Sequence, residues 1–92
     1  MMHDLYYERD KKRGKNRTFM WLVEEIGELS QALNRKKDED DLDDIGFEFA
    51  DIFAWLCSLA NILNLNLEEY SIKKYNFQCP KCKKNPCDCE FI

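Results

Sequence analysis

With 92 residues, 45% of them hydrophobic, the chain has room for one domain at most. A formal charge of −4 and a pI near 5.0 argue against a protein that coats nucleic acid electrostatically. No membrane span is expected either, because Glu24, Glu25, Glu28, Glu48 and Asp51 interrupt the two most apolar stretches.

Met1-Met2-His3-Asp4 does not read as a signal peptide. The expected location is therefore the reducing cytoplasm, where disulfides are a poor first reading of the five cysteines. Residues 2 to about 12 suit a short helix, broken by Gly14 and Asn16. A second helix is expected from Thr18, a suitable N-cap, to about Asn34. Its apolar stripe is Leu22, Ile26, Leu29 and Leu33, at the spacing of an amphipathic helix. A loop is expected near 36 to 40. The acids from Asp38 to Asp44 then suit loop and the start of a third helix, about 41 to 63.

After Glu48 that third helix is apolar on nearly all sides, with Phe49, Ile52, Phe53, Trp55, Leu56, Leu59, Ile62 and Leu63, so it needs neighbours all round. Asn66-x-x-Glu69 resembles a capping box and opens a fourth helix to about Tyr75. Apolar residues recur at three and four, not at two, so the fold is all-α. Four short helices enclose themselves poorly in so few residues. The expected assembly is a bundle completed by dimerisation, as a dimer or a tetramer. Gly27 and Gly46, inside helices, hint at close helix approach. Residues 1–76 form the helical domain in this reading, and 77–92 a separate cysteine-rich tail.

The acids carry the strongest chemical signal. Glu24-Glu25-x-x-Glu28 and, after nineteen intervening residues, Glu48-x-x-Asp51 each border large apolar residues. No Lys or Arg lies between Arg17 and Arg35 or between Lys37 and Lys73, so local ion pairs cannot neutralise them. If the two helices pack together the carboxylates converge, which is unfavourable without a cation. Paired oxygen ligands suit Mg²⁺ or Mn²⁺. In the tail, Cys79-Pro-Lys-Cys82-x4-Cys87-Asp-Cys89 places four thiols within eleven residues. The spacing suits a closed structural Zn²⁺ site, offset by Lys81, Lys83 and Lys84, with an iron–sulfur cluster or redox thiols as lesser readings. Cys57, mid-helix, reads as a buried apolar filler.

Trp21-Leu-Val-Glu-Glu-Ile-Gly-Glu-Leu-Ser-Gln-Ala-Leu33 followed by Glu48-Phe-Ala-Asp51, with Asn66-Leu-Glu-Glu-Tyr-x-x-x-Lys74 downstream, resembles the MazG-type all-α nucleoside triphosphate pyrophosphohydrolases over roughly residues 5 to 76. The resemblance implies Mg²⁺ ligands at Glu25, Glu28, Glu48 and Asp51. It also implies cleavage between the α and β phosphates of a nucleoside triphosphate to the monophosphate and pyrophosphate, an activity suited to nucleotide-pool housekeeping. Glu24 or Glu28 is the expected catalytic carboxylate that orients or deprotonates water. Lys73, Lys74, Arg13 and Arg17 are candidate cations for the leaving pyrophosphate. Trp21, with Trp55, Phe19 and Tyr7, is a candidate platform for the base, although aromatic residues at helical spacing are more often core. Asn61 and Asn76 are candidate base readers, although an Asn at a helix end is more often a cap. A related alternative is a phosphoribosyl-ATP pyrophosphohydrolase. A different one is a non-catalytic module that binds protein or nucleic acid through the zinc tail.

Overall fold

The computed structural model describes residues 1–35 and 42–90. Its elements are α1 (Met2–Arg13), α2 (Lys15–Asn34), α3 (Leu42–Ile62) and α4 (Leu67–Tyr75). Among the described residues there is no strand, so the all-α expectation holds. The expected loop near 36 to 40 lies outside the described residues.

Gly14 separates α1 from α2 by adopting φ 86°, a conformation that suits a residue without a Cβ. Its N–H donates to Asp10 O at 2.9 Å and closes α1. α2 then starts at once, with Gly14 at the cap position, four residues before Thr18. Thr18 lies inside the helix instead: its N–H donates to Gly14 O at 3.1 Å, and its hydroxyl donates to the same carbonyl at 2.8 Å. At α4 the capping expectation holds, since Asn66 Oδ1 accepts from Glu69 N at 3.0 Å. Asn76, left-handed at φ 37°, ends that helix.

α3 is the centre of the arrangement and packs against both α2 and α1, whereas α4 and the tail extend away with little contact. The result is a slab of 42 × 39 × 21 Å. Its radius of gyration of 16.3 Å compares with about 12 Å for a compact chain of this length. Its accessible surface of 7954 Å² exceeds by roughly 2,300 Å² the value typical of a monomer of this mass. Among the described residues, Leu22 and Ala60 are the buried apolar ones. Phe47, Phe49 and Phe53 on α3, and Met20, Val23 and Ile26 on α2, stay exposed. A Cβ added at Gly27 or Gly46 would meet nothing within 4 Å, so the close approach those glycines hint at does not occur within one chain.

α3 does not overturn the expectation about membrane spans, because the core helices of soluble proteins reach the same length and apolarity. It is long and apolar enough to cross a bilayer by length and composition, with mean hydropathy 1.4 over a window only 11% buried. Two acids do not offset the aromatic and aliphatic residues around them.

Candidate functional site

The packing of α2 on α3 brings together Glu25, Glu48 and Asp51, whose ligand oxygens can all lie within 4.8 Å of one another. Glu48 and Asp51 share a face of α3 at i, i+3, and Glu25 meets them from α2. Among the described residues the ion pairs involve Asp10, Glu69 and Asp88, and none of these three acids. Glu48 Oε2 is buried without a hydrogen-bond partner. Burial pushes the Glu25 carboxyl up, and the negative charges of Glu28, Asp51 and Glu48 push it further. A trio of crowded oxygens with one buried lone-pair site unsatisfied fits a hard divalent cation, and Glu25, Glu48 and Asp51 are the residues that would hold it.

Glu28, the expected fourth ligand, lies outside this trio. From one turn along α2 its charge and side chain act on Glu25 and help to raise that carboxyl. Glu24 is exposed and points to a different feature. It lines an open cleft of about 660 Å³ with Arg13, Arg17, Met20, Trp21 and Trp55. Trp21 and Trp55 lie nearly parallel there, ring centroids 6.0 Å apart and planes inclined by 9°. The core reading of the aromatic residues therefore fails for Trp21 and for Phe19, which are 46% and 55% exposed. α2 is covered on one side only. Tyr7 stacks on His3 instead, at 4.2 Å.

A smaller cavity of about 310 Å³ adjoins this cleft and contains Tyr6, Arg9, Asp10, Arg13, Asp51 and Ser58 among its walls. Arg13 and Trp55 belong to both spaces. Three of the sequence-derived candidates thus meet, namely Arg13, Arg17 and Trp21. Three do not. Lys73 pairs with Glu69 at 3.3 Å on α4, Lys74 lies over Tyr75, and Asn61 lines a separate cavity with His3 and Cys57. α4 packs too little on the other helices to carry its lysines to the acids of the same chain. Asp10 and Arg9 escaped sequence reasoning. The i, i+3 spacing of Asp10 and Arg13 was a visible signal, but burial of that pair was not.

The tail gathers Cys79, Cys82, Cys87 and Cys89, with all four sulfurs within 4.8 Å and none in a disulfide. Cys79 and Cys89 sulfurs are 3.6 Å apart, and those of Cys82 and Cys87 3.9 Å apart. The edges of a Zn–S₄ tetrahedron with 2.3 Å bonds are about 3.8 Å, so the sulfurs fit Zn²⁺. Backbone N–H groups of Cys82 and Lys81 pull the Cys79 thiol down to about 6. The Asp88 N–H, 3.3 Å from Cys82 Sγ, is the leading cause that lowers Cys82. Cys89 is pushed up to about 12, chiefly by hydrogen bonding to Cys87 and then Cys79. Four such sulfurs cannot all shed protons without a cation. Cys57 is only half-buried, and burial raises its thiol.

Comparison with known proteins adds the family. The profile of the MazG nucleotide pyrophosphohydrolase domain matches residues 13–83, a span that includes every acid of the trio as well as Cys79 and Cys82. A search of curated proteins returned no match. Helix order, acid placement and this match over most of the chain agree, and the protein belongs to the MazG nucleotide pyrophosphohydrolase domain family, whose members hydrolyse nucleotides.

Proposed function

We propose that the chain is a divalent-metal-dependent nucleoside triphosphate pyrophosphohydrolase that splits the α–β phosphate link to give the monophosphate and pyrophosphate. The observation that carries this reading is the Glu25, Glu48 and Asp51 trio, adjacent to a cleft with a tryptophan pair and two arginines. A bound Mg²⁺ or Mn²⁺ would neutralise phosphate charge and acidify an attacking water. The other work falls to the chain itself. Glu24 or Glu28, not engaged in the trio, orients that water or takes its proton. Arg13 and Arg17 stand where negative charge develops on the leaving group. Trp21, exposed in the cleft, offers the base a stacking surface.

A panel of nucleoside triphosphates, and phosphoribosyl-ATP, incubated with and without Mg²⁺ while pyrophosphate release is followed, tests this reading. Release that requires Mg²⁺ supports it. Turnover of phosphoribosyl-ATP alone assigns the narrower activity, and no release from any substrate overturns the enzymatic reading.

The working unit in this proposal is a dimer. The surface excess of roughly 2,300 Å² is of the size that each subunit of an obligate dimer covers, and the exposed phenylalanines of α3 are its centre. Burying α3 in a second copy also leaves Glu48 and Asp51 at a polar site, whereas a bilayer would charge about 3 kcal/mol for an acid at its midplane. A partner's α4 could then bring the lysines that one chain leaves distant.

The tail holds structural Zn²⁺ in the same proposal. Elemental analysis should find one zinc per chain, lost in Cys79→Ser and Cys82→Ser. Those variants should melt lower and keep hydrolysis within about twofold, because a closed tetrathiolate site leaves no position for substrate. Hydrolysis that disappears with the zinc would place the tail in the reaction.

A further inference from the structure

Arg13 poses a problem in a site of this kind. Arg13 lines a cavity together with Asp51, one of the three acids, and a long flexible cation free to move in that space would be drawn onto them. An arginine paired there would neutralise the acids and displace the divalent ion that the proposed function needs. The structure holds it elsewhere. Arg13 Nη2 is ion-paired to Asp10 Oδ1, Nε donates to Thr18 Oγ1 at 3.0 Å, and the guanidinium carbon lies 4.7 Å from the centroid of Trp55. Both anchors are deeply buried, Asp10 at 2% and Thr18 at 0% exposed. Of the five N–H donors of a guanidinium, two are engaged by these residues.

Asp10 is costly to keep. Its second oxygen, Oδ2, is buried without a partner, and a buried ion pair with such a deficit is a poor source of stability. It does, however, define one position for a side chain that otherwise samples many. Thr18 completes the clamp because its own proton is committed to Gly14 O, which leaves a lone pair for Arg13 Nε.

We propose that Asp10, with Thr18, is a positioning residue that clamps Arg13 over Trp55, at the wall between the cavity of Asp51 and the tryptophan cleft. The clamp has two consequences: Arg13 stays off the metal-binding acids, and its remaining N–H donors meet the phosphates of a nucleotide that runs from those acids to the tryptophans. This inference rests on the nucleotide reading for its second consequence and on the acid trio alone for its first.

The test uses Asp10→Asn and Thr18→Val in the full chain, with two readouts. Mn²⁺ titrated calorimetrically without nucleotide should bind Asp10→Asn roughly tenfold more weakly, the range typical of losing a group that supports a metal site indirectly. With nucleoside triphosphate, KM should rise roughly tenfold while kcat changes much less, the pattern of lost substrate binding. Thr18→Val should show both effects about two- to threefold, and decides the matter alone if Asp10→Asn does not fold. In an Arg13→Gln background Asp10→Asn should no longer weaken Mn²⁺ binding, because no guanidinium is left to escape. Unchanged Mn²⁺ affinity in Asp10→Asn, or an equal loss with Arg13→Gln, overturns the inference. A parent protein that binds Mn²⁺ yet hydrolyses no nucleotide overturns the enzymatic reading, and the Mn²⁺ titrations still decide the clamp. A parent that binds no Mn²⁺ without nucleotide overturns the clamp and leaves the enzymatic reading to the nucleotide panel.

Discussion

Asp51→Asn should lower kcat/KM for metal-dependent pyrophosphate release by roughly 10³-fold, in line with removing a principal electrostatic contributor. The substitution leaves the shape of the side chain and removes one of three anionic oxygens, and affinity for a hard cation follows the number of charged ligands. Stability should move the other way. In the metal-free protein Glu25 is held above the ordinary carboxyl range by burial, Glu28, Asp51 and Glu48. A carboxyl raised on folding favours the folded state below its unfolded pKa, and that contribution is lost as pH rises through its folded pKa. At neutral pH the crowded trio is therefore a destabilising feature, and Asp51→Asn relieves it. Thermal melts at pH 7 without metal should show the variant at or above the parent. Mg²⁺ should raise the melting temperature of the parent and leave the variant unmoved. A variant that keeps both turnover and a Mg²⁺-dependent melt would place the metal elsewhere.

Phe53→Asp should convert the assembled protein into a monomer that is poorly folded. Phe53 is 55% exposed in the single chain, and a substitution at such a position ordinarily shifts stability within about 0.5 kcal/mol. If the α3 face is covered by a second copy, the same change removes a buried aromatic group and buries an unpaired charge. The cost is then about 3–5 kcal/mol per subunit, felt twice in a two-fold interface. Sedimentation of parent and variant separates these cases, and the parent melting temperature should rise with protein concentration. A parent that sediments as a monomer, or one that enters solution only with detergent, would mean that α3 is covered by something other than its own copy.

Local spacing made much of this protein legible. The recurrence of apolar residues at three and four defined four helices within a few residues, and Asn66 and Asn76 act as the caps their side chains suit. The error at Thr18 has a clear cause. An isolated threonine before an apolar run reads as a cap, but Gly14 had already turned the chain, and the hydroxyl went to the helix interior.

The sequence by itself determined the helical class, the two acidic motifs and the cysteine spacing, because each depends on residues within one or two turns of chain. Tertiary structure decided which acids meet. Glu25, Glu48 and Asp51 converge while Glu28 stays outside the trio and acts on Glu25, a choice made by the relative height of α2 on α3. It also decided that Asp10, Arg13, Thr18 and Trp55 form one network. Helical periodicity fixes which face a side chain occupies, but contact between positions 13 and 55 depends on how α1 lies across α3, and no local pattern encodes that crossing.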